Sequence, residues 1–372
     1  MSAGRLHART PISASAAGIP AREWPAFRRR LRAWFARSKR DLAWRRTRDP
    51  YRIWLSEIML QQTRVATVIP YYRRFLQRFP TLQHLARARP EAVLRAWAGL
   101  GYYSRARNLH RAARQIITHH RGKFPRQLRH ALALPGIGRY TAAAVLSIAY
   151  DQPLAALDGN VARVLARLGA VRGDLRRPQA WRRLEAAAGD LLARQAAGDW
   201  NQAMMELGAT VCTPQAPRCP QCPVARWCRA RALGLAERLP AARRKTQVLK
   251  LTVAAAVLLD PRGRTLLVRD RSAHGALFSR LWQFPAVAVV RSARKALANH
   301  LRRIVRPNAA MEPLPPARHT VTFRDLRLAP FLVRVGSLPS VAGARTPGLA
   351  ALGRLAVSSA TRKIAAAALR AI

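Results

Sequence analysis

The hydrophobic period changes once along this 372-residue chain, and that change limits what it can fold into. From Trp24 to about Ala232, apolar residues recur at three- and four-residue spacing, as in Ile53/Leu55/Ile58/Met59, Ala92/Val93/Ala96/Trp97 and Ala142/Val145/Leu146/Ala149. Such spacing makes one apolar stripe per helix and predicts successive helices of ordinary length. Breaks fall at Asp49-Pro50, Phe79-Pro80, Gly99 to Gly101, Phe124-Pro125 and Pro135-Gly136, where proline or glycine interrupts helical backbone. Residues 236–250 are basic with little periodicity and read as a linker. Beyond them come β-type runs, Leu251 to Leu259, Thr265 to Arg269 and Arg327 to Val335, with a turn at Asp260 to Gly263. The expectation is a mainly α domain over 21–235 followed by a smaller α/β domain over 251–372. Residues 1–20, rich in Ser, Ala and Gly, lack the apolar core of a secretory signal and read as a disordered tail.

Charge narrows the partner. Lys and Arg number 67 against 17 Asp and Glu, a formal net charge of +50, and a polyanion is the simplest counterpart to that field. No run approaches the roughly 20 apolar residues of a membrane-spanning helix, so nucleic acid leads over membrane. Lys supplies only six of the 67, and an Arg and Ala excess also follows from genomic base composition, so charge alone does not settle function.

All four cysteines, Cys212, Cys219, Cys222 and Cys228, lie within seventeen residues in a C-x6-C-x2-C-x5-C pattern. Structural disulfides are usually spread through a secreted chain, so this crowding points to a metal centre in a reducing cytoplasm. Four thiolates satisfy either a tetrahedral zinc or a 4Fe-4S cluster, and spacing alone leaves both open. Arg218, Arg226 and Arg229 put positive charge on the same loop and make it a candidate DNA contact.

Three other stretches carry chemistry. In Leu134 to Arg139, Gly136 and Gly138 suit the tight backbone of a hairpin, and amides at the next helix start can hold a phosphate without reading sequence. Glu57 has Ile53, Trp54, Leu55, Ile58 and Met59 around it; desolvation there raises a carboxyl's pKa toward that of a general acid working near neutrality. Asp158, just before the helical run from Val161, reads in isolation as a turn or helix cap. Paired with a protonated Glu57, an ionised Asp158 suits cleavage of an N-glycosidic bond, one group assisting departure and the other stabilising the oxocarbenium-like sugar.

Taken together, Trp54–Thr63, Gly99–Asn108, the hairpin, Leu157–Asn160, Asn201–Gly208 and the cysteine spacing resemble the helix-hairpin-helix DNA glycosylases, most closely the MutY-type adenine glycosylases, over about residues 25 to 235. The resemblance implies a monomeric enzyme acting on double-stranded DNA that contains mispaired adenine, cytoplasmic and nucleoid-associated if bacterial, with a 4Fe-4S cluster on loop 212–228 rather than zinc. Glu57 would protonate adenine and help position water, Asp158 would stabilise the sugar, and Tyr140 and Asn160 would assist. Trp44, Arg45 and Gln202 would line the pocket for the flipped base, which must leave the stack to be reached; Gln62 and Tyr102 would wedge into the duplex. Leu281–Pro285 and Arg318–Thr320 look like landmarks of the Nudix-like domain that checks for 8-oxoguanine, although Val287 to Arg306 lacks the acidic Nudix signature and Val321-Thr322-Phe323 stands where the family commonly has Phe-Ser-His. The expected fold is therefore a helix-hairpin-helix glycosylase domain followed by a Nudix-like domain, with Thr322 left to supply a hydroxyl. Two competing readings are an endonuclease III-like glycosylase/lyase, which places a Schiff-base lysine where Tyr140 stands, and a catalytically silent Fe-S DNA-binding protein.

Overall fold

A computed structural model describes residues 18–241, 247–269, 281–302, 304–305, 309–321 and 323–372. The expected period change is there: helices and short 3-10 turns occupy the chain to Ala232, and the first strand, β1, starts at Leu249. Among the described residues no helix is long and apolar enough to cross a membrane.

Contacts divide the chain into two compact units, 1–61 with 118–244 and 62–117 with 245–372. The span 21–235 is thus shared between them, a division no periodicity reveals because both parts are helical. In the first unit, Phe27, Leu31 and Phe35 pack with Leu165, Leu191, Trp200 and Leu207 in one core. That core also takes Ile19, only 1% exposed, whose carbonyl accepts from the Trp24 indole at 3.0 Å. The end of the expected tail is therefore anchored; a single isoleucine among small residues gives no periodic signal. Residues 1–17 lie outside the described residues. Leu239, at the expected linker, is also buried.

Helix Pro50–Leu60 starts where Asp49-Pro50 predicts, with the Asp49 carboxylate accepting from the Tyr51 amide at 2.9 Å. Eight of its eleven residues, Glu57 included, are buried, as expected of a helix apolar on nearly every face.

Among the described residues the second unit holds a five-stranded sheet: β1 (Leu249–Leu259), β2 (Ala286–Val289), β3 (Glu312–Pro313), β4 (Ala317–Val321) and β5 (Arg324–Arg334). The order is β2-β1-β5-β3, with β4 also on β5. β1 and β5 run parallel, the other pairs antiparallel. Strand alternation sends Ala255, Val257 and Leu259 into a core with helix Ser359–Leu369, and Ala254, Ala256 and Leu258 into another with helix Ala293–Leu301. A strand covered on both faces reads as a continuous apolar run, which is why β1 was visible in the sequence. The run Thr265 to Arg269 is not a continuous strand: it forms isolated bridges, Thr265 with Leu259, Leu267 with Arg345 and Val268 with Gln283. Adjacent residues Leu267 and Val268 bridge different segments, so no ladder builds up. The Asp260 turn is as expected, its carboxylate accepting from the amides of Arg262 and Arg264.

Within the same unit, Glu91 on helix Pro90–Trp97 accepts from the Trp282 indole at 2.6 Å and from Arg345 at 3.1 Å. The guanidinium groups of Arg269 and Arg345 lie 4.5 and 4.9 Å from the Trp282 ring centroid. These contacts tie helix Pro90–Trp97 to the segments that carry Trp282 and Arg345.

Gly99 is held at φ +110° with the Tyr71 hydroxyl directly over it; a Cβ there would stand 2.1 Å from that oxygen. Gly99→Ala should therefore destabilise the protein by about 2 kcal/mol or more, combining left-handed strain with a displaced tyrosine. An unchanged urea midpoint would show that the turn relaxes freely.

Candidate active site and cysteine centre

Helix Pro50–Leu60 presents Glu57 inward, 6% exposed. The Tyr140 hydroxyl, from helix Arg139–Tyr150, donates to Glu57 Oε2 at 2.7 Å and lies 3.5 Å from Met205 Sδ. Burial raises the Glu57 pKa to about 7; the Tyr140 hydrogen bond and the Arg45 charge pull down, while the charge of Asp158 pushes up. Burial and the neighbouring carboxylates hold the Tyr140 phenol well above its usual value, so it stays a donor. Glu57 is therefore poised to exchange a proton at neutrality, as the sequence predicts.

Asp158 is the N-cap of helix Gly159–Leu168. Its Oδ1 accepts from the Val161 amide at 2.7 Å and its Oδ2 from Asn160 Nδ2 at 3.0 Å. Burial raises its pKa, and those two donors oppose the rise. The cap expected from the sequence is present, and these two bonds fix the position of the carboxylate. Asn160 in turn accepts from Arg163 Nη2 at 2.9 Å, and Arg163 reaches the carbonyls of Gly208 and Cys212.

Two residues of the Asn201–Gly208 stretch hold this arrangement without having been assigned a role. Asn201, 2% exposed, donates to Ser147 Oγ and the Leu154 carbonyl and accepts from the Ala156 amide, fixing the backbone that leads into Asp158. Glu206, fully buried, accepts from Arg40 and from Arg45 at 2.7 Å; burial alone would raise its pKa, but these guanidinium groups bring it down to about 2. An acid within the apolar run Met204 to Leu207 was the available signal. Gly208 packs against the Asn160 backbone, where a Cβ would meet Asn160 Cβ at 2.7 Å.

The other expected residues fall as follows. Trp44 is buried in the turn Ala43–Arg45. Arg45 is engaged by Glu206 and the Arg40 carbonyl while its charge still acts on Glu57. Gln202 is half-buried, its amide 3.4 Å from the Gly198 carbonyl. Gly136 has φ +77°, and Gly138 is the N-cap of helix Arg139–Tyr150 with no side chain capping it. Gln62 and Tyr102 belong to the other unit; both are exposed and both have positive φ, +58° and +46°, a cost for residues bearing a Cβ. Arg105, which sequence reasoning missed, ties their turns together: it donates to Thr63 Oγ1 and to the Leu100 carbonyl, and its guanidinium lies 5.3 Å from the Tyr102 ring centroid. Thr322 lies outside the described residues.

Cys212, Cys219, Cys222 and Cys228 are free thiols lining one small cavity with Arg167 and Arg231. Among the described residues no three His, Cys, Asp or Glu side chains are gathered closely enough to ligate a single metal ion. A tetrahedral zinc would draw four sulfurs to ~2.3 Å of one point. Four thiols lining one cavity supply the donor set that either a tetrahedral zinc or a 4Fe-4S cluster takes. Burial, abetted by the other cysteines, pushes the Cys222 thiol up to about 12 and also raises Cys228; a cationic centre would reverse that balance. The buried Arg167 donates to Cys212 Sγ at 3.3 Å and to the carbonyls of Thr213, Pro214 and Leu239, bracing the loop.

Residues 55–188 match the family profile described as HhH-GPD superfamily base excision DNA repair protein. Over 218 residues it is 50% identical to an adenine DNA glycosylase of Homo sapiens, covering 56% of this chain and 40% of that protein. Over 302 residues it is 37% identical to an adenine DNA glycosylase of Arabidopsis thaliana, covering 71% and 48%. The chain thus spans less than half the length of these two relatives. Among solved structures, a thermostable thymine-DNA glycosylase matches at 28% identity and TM-score 0.52, covering 57% of this chain and 98% of that one.

The raised pKa of Glu57 has a consequence for stability. Its folded value is about 7 against an ordinary 4.5, so the folded state keeps a proton that the unfolded state releases. The resulting stabilisation is full below about pH 4.5 and is lost as pH rises through 7. Glu57→Gln, which cannot ionise, should gain roughly 2 to 3 kcal/mol relative to the parent between pH 5 and pH 8.5. Denaturant titrations at the two pH values test this, and a pH-independent difference would place the group outside a desolvated site.

Proposed function

We propose that this protein is an adenine DNA glycosylase of base excision repair, hydrolysing the N-glycosidic bond of adenine opposite 8-oxoguanine or guanine in duplex DNA as a monomer. The observation that carries the reading is the buried Glu57 carboxyl, held near pKa 7 by an apolar helix and hydrogen-bonded to Tyr140, with the capped carboxylate of Asp158 acting on it. Glu57 protonates the departing adenine and then helps position water; Asp158 stabilises the oxocarbenium-like deoxyribose. Tyr140 holds the Glu57 carboxyl, and Asn160 holds Asp158. Trp44, Arg45 and Gln202 form the wall for the flipped base. The hairpin amides after Gly136 and Gly138 take a phosphate, and Gln62 and Tyr102, exposed on strained turns, wedge into the duplex. The C-terminal α/β domain serves as a Nudix-like lesion reader without hydrolase activity, with Thr322 offering a hydroxyl.

The enzyme is monofunctional. A lyase needs an amine to form an imine with C1′; Tyr140 has none and its hydroxyl is engaged by Glu57. None of the six lysines lies in the Glu57, hairpin or Asp158 stretches. Single-turnover assays on duplexes carrying A opposite 8-oxoguanine, G, C and T test the whole reading. Adenine should be released from the first two, leaving an intact strand with an abasic site, and Glu57→Gln should slow release by at least ~100-fold, the range of general acid catalysis, with duplex binding retained. Unimpaired excision by Glu57→Gln, or strand nicking at the rate of base release, would reject these roles.

The cysteine centre is read as a 4Fe-4S cluster held by Cys212, Cys219, Cys222 and Cys228, ordering a loop on which Arg218, Arg226 and Arg229 approach DNA in a reducing cytoplasm, nucleoid-associated if the source is bacterial. Purified protein should be brown, with iron and acid-labile sulfide near four each per chain. Stoichiometric zinc in anaerobically prepared protein would overturn this assignment.

A further inference from the structure

The second unit has a groove that no part of the excision site uses. Its volume is about 930 Å³, and Arg78, Arg87, Arg89, Arg95, Arg345 and Arg354 are among the thirteen residues that line it. Six arginines in thirteen is far above the chain's own 67 Lys and Arg in 372 residues, so the groove is more than a sample of a basic surface. Its one acid, Glu91, is committed to the Trp282 indole and to Arg345. Arg95 donates to the Arg354 carbonyl at 3.1 Å and keeps its charge. Arg78, Arg87, Arg89 and Arg354 are exposed, and among the described residues none of these four is ion-paired with a carboxylate.

We propose that this groove is a second, sequence-independent site for the phosphodiester backbone of duplex DNA. Among the described residues its six arginines outnumber its one acid, Glu91, by five, and a volume of about 930 Å³ exceeds what a single ion fills. Guanidinium forks match phosphate oxygens bidentately. Among the described residues the lining offers no exposed Phe, Tyr or Trp platform: Phe79 is 4% exposed, the other apolar members, Ala88, Ala92 and Leu355, are small or half-buried, and the exposed His84 ring is tied through Nδ1 to Thr81 Oγ1 at 2.8 Å. Unpaired bases need such a platform, and a protein partner needs an apolar anchor; a duplex backbone needs only charge. The proposal goes beyond the excision reading and stands whichever base is cleaved.

The test uses the full chain and an undamaged 40-bp duplex as probe, with affinity measured across a salt series. Each phosphate contact contributes about 0.9 to the slope of log K against log salt. Replacing Arg87, Arg89 and Arg354 together by Gln should flatten the slope by about 2 to 3 and abolish any bridging of two duplexes by one protein. A charge-matched control, Arg32→Gln with Arg182→Gln and Arg183→Gln, should change the slope by less than half as much, and thermal melts should show both variants folded. Equal slopes for the two variants would overturn the proposal. So would capture of polyglutamate by the parent but not the groove variant while duplex binding is unchanged, which would make the groove a dock for an acidic protein segment. Absence of adenine excision by the parent would sink the functional reading and leave this binding test intact.

Discussion

Withdrawal of the Glu57 carboxyl from water is the constraint around which the first unit is organised. A helix buried on nearly every face supplies the desolvation that lifts its pKa to about 7. One phenol, one guanidinium and one second carboxylate then set the balance. Tyr140 and Arg45 favour the anion and Asp158 the acid, so the proton is neither locked on nor lost at neutral pH. The arrangement costs folding stability above neutrality, which is what a poised acid entails.

Around that carboxyl the supporting contacts form layers. Asn201 and Ser147 fix the backbone before Asp158; Asn160 and the helix start hold its oxygens. Arg163 continues the chain of contacts from Asn160 to the Cys212 carbonyl, so the cysteine loop and the Asp158 carboxylate share one hydrogen-bonded framework. Gly208 permits the close approach of its helix to Asn160. The cysteine loop is closed from inside by Arg167, which donates four hydrogen bonds to the loop and to Leu239.

The second unit shows a different economy of charge. Glu91 binds Trp282 and Arg345, with the Arg269 and Arg345 guanidinium groups over the Trp282 ring, and its single carboxylate ties helix Pro90–Trp97 to those segments. In a chain with so few acids, three that are multiply bonded draw arginines to them: Glu91 here, Glu206 with Arg40 and Arg45, and Asp260 with Arg264. The arginines left over are those available to a polyanion.

Local pattern was enough to find the helices to Ala232, the apolar surroundings of Glu57, the Asp49 and Asp158 starts, the β1 run and the cysteine cluster, because each depends on residues within one or two turns of chain. Periodicity, proline and glycine punctuation and ligand spacing are all short-range signals. The hydrogen bond from Tyr140 to Glu57 spans 83 positions, and the Glu206 bonds to Arg40 and Arg45 span 166 and 161. No local rule encodes such pairings. The burial of Ile19, the broken ladder at Thr265 to Arg269, the sharing of 21–235 between two units and the arginine groove were likewise decided only by tertiary packing. In each case what matters is which distant surface a side chain meets, and that is set when the cores assemble.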